Sequence, residues 1–105
     1  MDEREPHERE PHEHEPHVRV VGKRGCAFCA KVRRHLRDVG VSFVYEQLDP
    51  DDEATYAARR DELIRKTEGH RTFPFVFNTD GSFIGGFNET VVTFPIKLTF
   101  DSDDF

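Results

Sequence analysis

The stretch Val18-Arg19-Val20-Val21-Gly22-Lys23-Arg24-Gly25-Cys26-Ala27-Phe28-Cys29 runs from branched apolar residues, through a glycine-bearing loop, to two cysteines with two residues between them. Val18 to Val21 predicts a short strand. Gly22 to Gly25 predicts a loop. A helical pattern starts at Cys26 and runs to about Val39. Phe28, Val32, Leu36 and Val39 recur at i, i+4, i+8 and i+11, one face of a helix. Gly40 supplies the stop.

A thiol that opens a helix faces unpaired amide N–H groups and the positive end of the dipole, and both favour thiolate over thiol. Lys23 and Arg24 are expected to add positive charge beside Cys26, and Lys31, Arg33, Arg34 and Arg37 make the rest of the helix basic. Such surroundings mark reactive cysteines, and the thiolate is the nucleophile of disulfide exchange. Cys29 lies almost one turn later, so the two sulfurs can meet. Its place inside the helix predicts less exposure, which makes Cys26 the attacker and Cys29 the resolver. A buried, inert pair is the plain alternative. A second alternative is a zinc set of His12, His17, Cys26 and Cys29, which needs the N-terminal segment to fold back onto the helix start. His35 and His70 read as surface or satisfied histidines.

Downstream, Val41 to Leu48 predicts a second strand. Asp49-Pro50-Asp51-Asp52 is a turn with helix-start signals, and a second helix is expected over Asp52 to Thr67, with Tyr56, Leu63 and Ile64 as its sparse apolar face. Pro74 to Phe77 predicts a third strand, Asn78-Thr79-Asp80-Gly81 a hairpin turn, and Ser82 to Ile84 a fourth strand stopped by Gly85-Gly86. The order is β-α-β-α-β-β. Strands joined through helices predict parallel pairing, and the hairpin adds an antiparallel pair. That is an α/β domain with a mixed sheet covered by helices. Towards the end, Val92, Phe94, Ile96, Leu98 and Phe100 alternate with Thr93, Pro95, Lys97 and Thr99. The period of two predicts a strand, confined by Pro95 to an edge.

Upstream, Glu-Pro-His recurs at residues 5–7, 10–12 and 15–17, and three prolines forbid a continuous helix. Residues 1–17 read as a disordered acidic arm, with a weak metal-binding tract as the alternative because His and Glu are ligand types. The chain of 105 residues has net charge −6, yet the arm alone carries seven acids and two bases. Residues 18–105 therefore hold only −1 and form one nearly neutral domain, which indicates no nucleic-acid partner. No apolar run has the length of a membrane span, and the charged start lacks the apolar core of a signal peptide. Two closely spaced cysteines are too few for a secreted disulfide scaffold. A reducing cytosol is the expected location.

From Val18 to about Glu89 the chain resembles glutaredoxins, the glutathione-linked branch of the thioredoxin fold. Lys23 stands three residues before Cys26, like the lysine that family places ahead of its redox motif. Cys26-Ala27-Phe28-Cys29 is similar to its Cys-Pro-Tyr-Cys, Thr72-Phe73-Pro74 to its Thr-Val-Pro with a cis proline, and Gly85-Gly86 with Phe87-Asn88-Glu89 to its Gly-Gly motif and the polar pair beyond. The resemblance implies a thioredoxin-like three-layer sandwich with a four-stranded sheet. It also implies reduction of glutathione mixed disulfides and protein disulfides, by a monomer, with glutathione as reductant. Lys23 and Arg71 would hold the glycine carboxylate by charge-assisted hydrogen bonds. The backbone at Thr72, Phe73 and Pro74 would pair with the extended tripeptide. Gly85-Gly86 would allow close approach, Asn88 and Glu89 would take the γ-glutamyl end, and Phe28 would form an apolar wall.

Ala27 replaces the family's proline, Phe28 its tyrosine and Phe73 its valine. A non-proline residue at position 27 is similar to members that bridge a 2Fe–2S cluster between two subunits with glutathione as co-ligand. A cluster carrier is therefore the second reading. The third is a dedicated electron donor to an enzyme such as ribonucleotide reductase. The family's terminal helix conflicts with the alternation after Glu89, which leaves either an added edge strand or a shortened helix.

Overall fold

Alternation along the first strand sorts its side chains between two cores. Val18 and Val20 pack with Val32, Leu36, Phe43 and Val76 on one face of the sheet. Val21 packs with Leu48, Leu63, Phe75 and Phe77 on the other. Side chains at i and i+2 of a strand share a face, so one short run feeds both layers. A fully buried residue of this size contributes about 1.5–3 kcal/mol. Val20, Val32, Leu36, Leu63, Phe75 and Val76 are all fully enclosed.

The computed structural model describes residues 17–96. The remainder of the expected acidic arm, and Leu98 and Phe100 of the expected edge strand, lie outside the described residues. Element order is β1 (Val18–Lys23), α1 (Ala27–Asp38), β2 (Phe43–Leu48), α2 (Glu53–Lys66), β3 (Phe75–Phe77), β4 (Phe83–Gly85) and α3 (Phe87–Thr93). The sheet runs β2-β1-β3-β4. β1 pairs parallel with β2, Val18 opposite Phe43 and Lys23 opposite Leu48. Gly22 and Lys23, expected in a loop, instead complete β1. β3 is antiparallel to both β1 and β4. The expectation of parallel pairing through helices thus holds for the α1 crossover and fails for α2, whose chain returns to the far side of β1 in the opposite direction.

α1 and α3 cover one face and α2 the other, giving the expected three layers. His35, near the end of α1, is buried and bonds through Nε2 to the carbonyl of Phe94 at 2.7 Å, so it is a satisfied histidine that ties α1 to the end of α3. The C-terminal expectation needs correction. Residues 87–93 form α3 where Val92 and Thr93 were read as strand. Phe87, Thr90, Val91 and Phe94 are the residues turned inward, at i, i+3, i+4 and i+7. Val92 and Ile96 are exposed. Among the described residues no helix is long and apolar enough to cross a membrane.

α2 is fastened to β2 by Arg59, whose Nε and Nη2 meet the two Glu46 oxygens at 2.9 and 2.7 Å. The guanidinium holds the Glu46 carboxyl below its ordinary range. A lowered carboxylate stabilises the fold above its unfolded pKa and loses that effect as pH falls through the folded value. Arg59→Ala is therefore expected to cost about 1 kcal/mol at pH 7, an amount kept small by the pair's partial exposure, and less at acid pH. Urea unfolding at both pH values checks this.

Candidate active site

The carboxyl end of β1 delivers the chain to the thiols. Cys26 is the N-cap of α1, and its Sγ accepts the Cys29 N–H at 3.2 Å. The first turn of α1 thus directs an amide donor at the sulfur, as the sequence predicts for a thiol at a helix start. Cys26 is half-buried and Cys29 is 1% exposed; both are free thiols. Burial first, and then the contact with Cys26, pushes the Cys29 thiol up to about 12. Cys29 therefore stays protonated at neutral pH while Cys26 remains open to a substrate.

Two cations read beside Cys26 separate in the structure. Lys23 lines a concavity with Cys26, Ala27, Ala30, Arg33, Tyr45 and Gln47, and its ammonium stands 5.4 Å from the centre of the Phe73 ring. Arg24 instead turns to Asp49 and Asp51, at 2.7 Å each. Its charge is spent on the β2–α2 turn, which overturns its expected place beside the thiol.

On the other side of the redox motif lies a groove of about 400 Å³, within the size range of small-ligand sites. Phe28, Thr72, Phe73, Pro74, Gly86, Asn88 and Glu89 line it, so seven of the expected binding residues share one surface. The Phe73–Pro74 peptide is cis. Phe28 is 51% exposed and leans on Phe87, ring centres 6.0 Å apart, with the Lys31 ammonium 4.8 Å from its own. Arg71 is exposed and does not line the groove; its carbonyl accepts Arg60 Nη2 at 3.3 Å.

Gly85 lies behind the groove rather than in its wall. Its φ is 139°, and a Cβ there would come within 2.6 Å of the Glu89 side chain. The fit serves α3. The Gly86 N–H donates to Glu89 Oε1 at 2.9 Å, and the Gly86 carbonyl accepts Thr90 Oγ1 at 2.7 Å. The first of these holds the Glu89 carboxyl below its ordinary range. Gly85→Ala is expected to destabilise the domain by about 1–3 kcal/mol, through left-handed strain and displacement of this cap. Thermal unfolding measures it.

Sequence reasoning missed two members of the site. His70 lines the groove, with Nε2 3.4 Å from Thr72 Oγ1 and its ring edge-on to Phe75 and Phe83. Its position directly before Arg71-Thr72 was the available signal. Tyr45 belongs to the concavity beside Cys26. The period of two from Phe43 to Tyr45 would have placed it on the α1 face. The zinc alternative does not assemble from what is described. His17 precedes β1 and Cys26 follows it, roughly 20 Å along a six-residue strand. His12 lies outside the described residues.

A half-buried thiol at a helix start, a buried partner one turn on and a cis-proline groove lined by Phe28 of the same motif mark a dithiol domain of the thioredoxin-like fold. The glutaredoxin family profile matches residues 18–84. The chain belongs to the glutaredoxin family. It is 30% identical over 71 residues to the rat glutaredoxin-2, mitochondrial, a match covering 68% of this chain and 43% of that protein. The chain thus spans less than half the length of that relative. Wheat glutaredoxin superposes with a TM-score of 0.60 at 32% identity, covering 75% of this chain and 70% of that one. A buckwheat glutaredoxin–glutathione complex does so with a TM-score of 0.57 at 28% identity, covering 70% and 64%.

Proposed function

We propose that this chain uses glutathione to reduce glutathione mixed disulfides and, through both cysteines, protein disulfides. The observation that carries the reading is the half-open Cys26 thiol in the Lys23 concavity, with Phe28 of the same motif lining the groove of Phe73, Pro74, Gly86, Asn88 and Glu89. In the first step the Cys26 thiolate attacks the glutathione sulfur of a mixed disulfide, and the protein thiolate leaves. A second glutathione thiolate attacks the Cys26 adduct. Glutathione disulfide departs and Cys26 is restored. Lys23 meets the glycine carboxylate of the tripeptide, and Asn88 and Glu89 its γ-glutamyl end. Arg71, exposed and outside the groove, is left out of this set. A single chain carries both thiols and the groove, which supports a monomer as the acting unit. We place this activity in a reducing cytosol, where thiols are kept reduced.

The test is glutathione-coupled reduction of a small mixed disulfide, followed through glutathione reductase and NADPH. Turnover well above the uncatalysed rate supports the reading. Its absence in folded, reduced protein sinks it.

The second reading is a 2Fe–2S carrier, favoured by Ala27, which with Ala30 leaves small side chains beside Cys26. Among the described residues no three metal-ligating side chains gather. Cys26 would be this chain's ligand, and the others would come from glutathione and a second copy. A glutathione-dependent brown colour in a dimeric fraction would support it.

A further inference from the structure

Gly22 has no side chain because two others occupy the space. A Cβ on it would touch the Tyr45 hydroxyl and would lie 2.8 Å from Cys29 Sγ. The hydroxyl and the resolving sulfur therefore press on the same point of β1, one from β2 and one from α1. Phe43 and Tyr45 share the sheet face that α1 covers, and Tyr45 is partly buried against that core. The Arg33 guanidinium lies over its ring, 4.0 Å from the centre. The hydroxyl donates to Gln47 Oε1 across 3.3 Å, a long bond for two oxygens and one that a small rotation breaks.

Resting on the dithiol part of the function proposed above, we propose that Tyr45 is a positioning residue for Cys29, turning its hydroxyl from Gln47 to the sulfur as Cys29 attacks the mixed disulfide on Cys26. In that step the Cys29 sulfur bonds to Cys26 Sγ. The bond from Cys26 to the substrate sulfur breaks, and the substrate leaves as a thiolate that takes up the proton Cys29 has lost. Substrate disulfide and enzyme dithiol exchange, with no other oxidant or reductant. The difficulty lies in Cys29, which is buried and disfavours its anion. Burial and the neighbouring Cys29 sulfur also push the Tyr45 phenol up to about 12, so it remains a donor at working pH. A neutral donor beside a desolvated sulfur stabilises the charge that develops there at small desolvation cost. The charged groups facing the pair are Arg33 from α1 and Lys23 at the end of β1.

Tyr45→Phe removes the hydroxyl and keeps the ring under Arg33. Two rates are measured on the full chain: reduction of a protein disulfide, which uses Cys29, and reduction of a glutathione mixed disulfide, which does not. The ratio of the first to the second is expected to fall about tenfold or more, the value of a hydrogen bond to a charged group. An unchanged ratio overturns the proposal, whether both rates hold or both fall together. The second measurement is single-turnover release of thionitrobenzoate from a Cys26–thionitrobenzoate mixed disulfide by Cys29 at neutral pH. Tyr45→Phe is expected to slow this release about tenfold or more, and an unchanged rate overturns the proposal. This readout needs no glutathione, so it separates failure of the Tyr45 assignment from failure of the glutathione reading.

Discussion

Cys26→Ser is expected to bring glutathione-coupled reduction of a small mixed disulfide down to the uncatalysed background, while Cys29→Ser retains turnover. The two sulfurs sit one helical turn apart but in different media. Cys26 is half-buried at the cap of α1, bounded by the Lys23 concavity, and accepts an amide N–H. Cys29 is enclosed, and its thiol is pushed up to about 12. Only the first is open to a bulky disulfide, and exchange needs a sulfur that can reach the bond it attacks. Under the proposed function, removing Cys29 also removes the branch in which the chain closes its own disulfide, so its loss falls on protein-disulfide substrates. Equal loss of mixed-disulfide turnover in both variants would refute the division of roles.

Phe75→Ala is expected to destabilise the domain by about 3–5 kcal/mol, the cost of emptying a fully enclosed aromatic site. In a domain of this size each kcal/mol lowers the melting temperature by roughly 4–8 °C, so a thermal scan should show the transition displaced by well over 10 °C or lost. The reason lies in what the ring supports. Phe75 meets Phe73 edge-on at 5.1 Å and His70 at 5.0 Å, both of which line the groove. Tyr56 of α2 stacks on Phe73 with ring centres 6.0 Å apart. The loop that opens the groove thus rests on the α2-side core. A Phe75 variant that still folds is expected to bind glutathione more weakly, although the ring does not line the groove.

The β1-α1-β2 unit was legible in the sequence because its signals are local and agree. Branched residues, a glycine loop, a regular apolar stripe and a glycine stop all describe one strand, one crossover helix and a parallel partner. The direction of β3 was not legible. A helical connection can return the chain either way, and what decides is the pairing of Val20 with Val76 and the burial of Phe75 and Phe77 behind it. α3 was misread for a different reason. Its inward stripe contains Thr90, whose hydroxyl is satisfied by the Gly86 carbonyl and which is completely buried. Counting only apolar residues skips it and finds Val92, Phe94 and Ile96 instead. The seven groove residues were legible through their motifs; Tyr45 was not, because its relevance comes from the space that Gly22 leaves across the sheet.

The bond from His35 to the Phe94 carbonyl spans 59 residues of chain. In kinetic terms it is among the longest closures of the described residues, matched by the contact of Phe28 with Phe87. α3, with seven residues, is far too short to persist alone. The loop-closure entropy of so long a span has to be met before any contact rewards it, whereas β1, α1 and β2 meet through neighbours in sequence. The folding order favoured by this topology therefore assembles the thiol pair before the α3 wall of the groove. An intermediate of that kind would be a dithiol without its groove, open to exchange with any disulfide it meets. Under the proposed function, selectivity is therefore acquired in the last stage of folding.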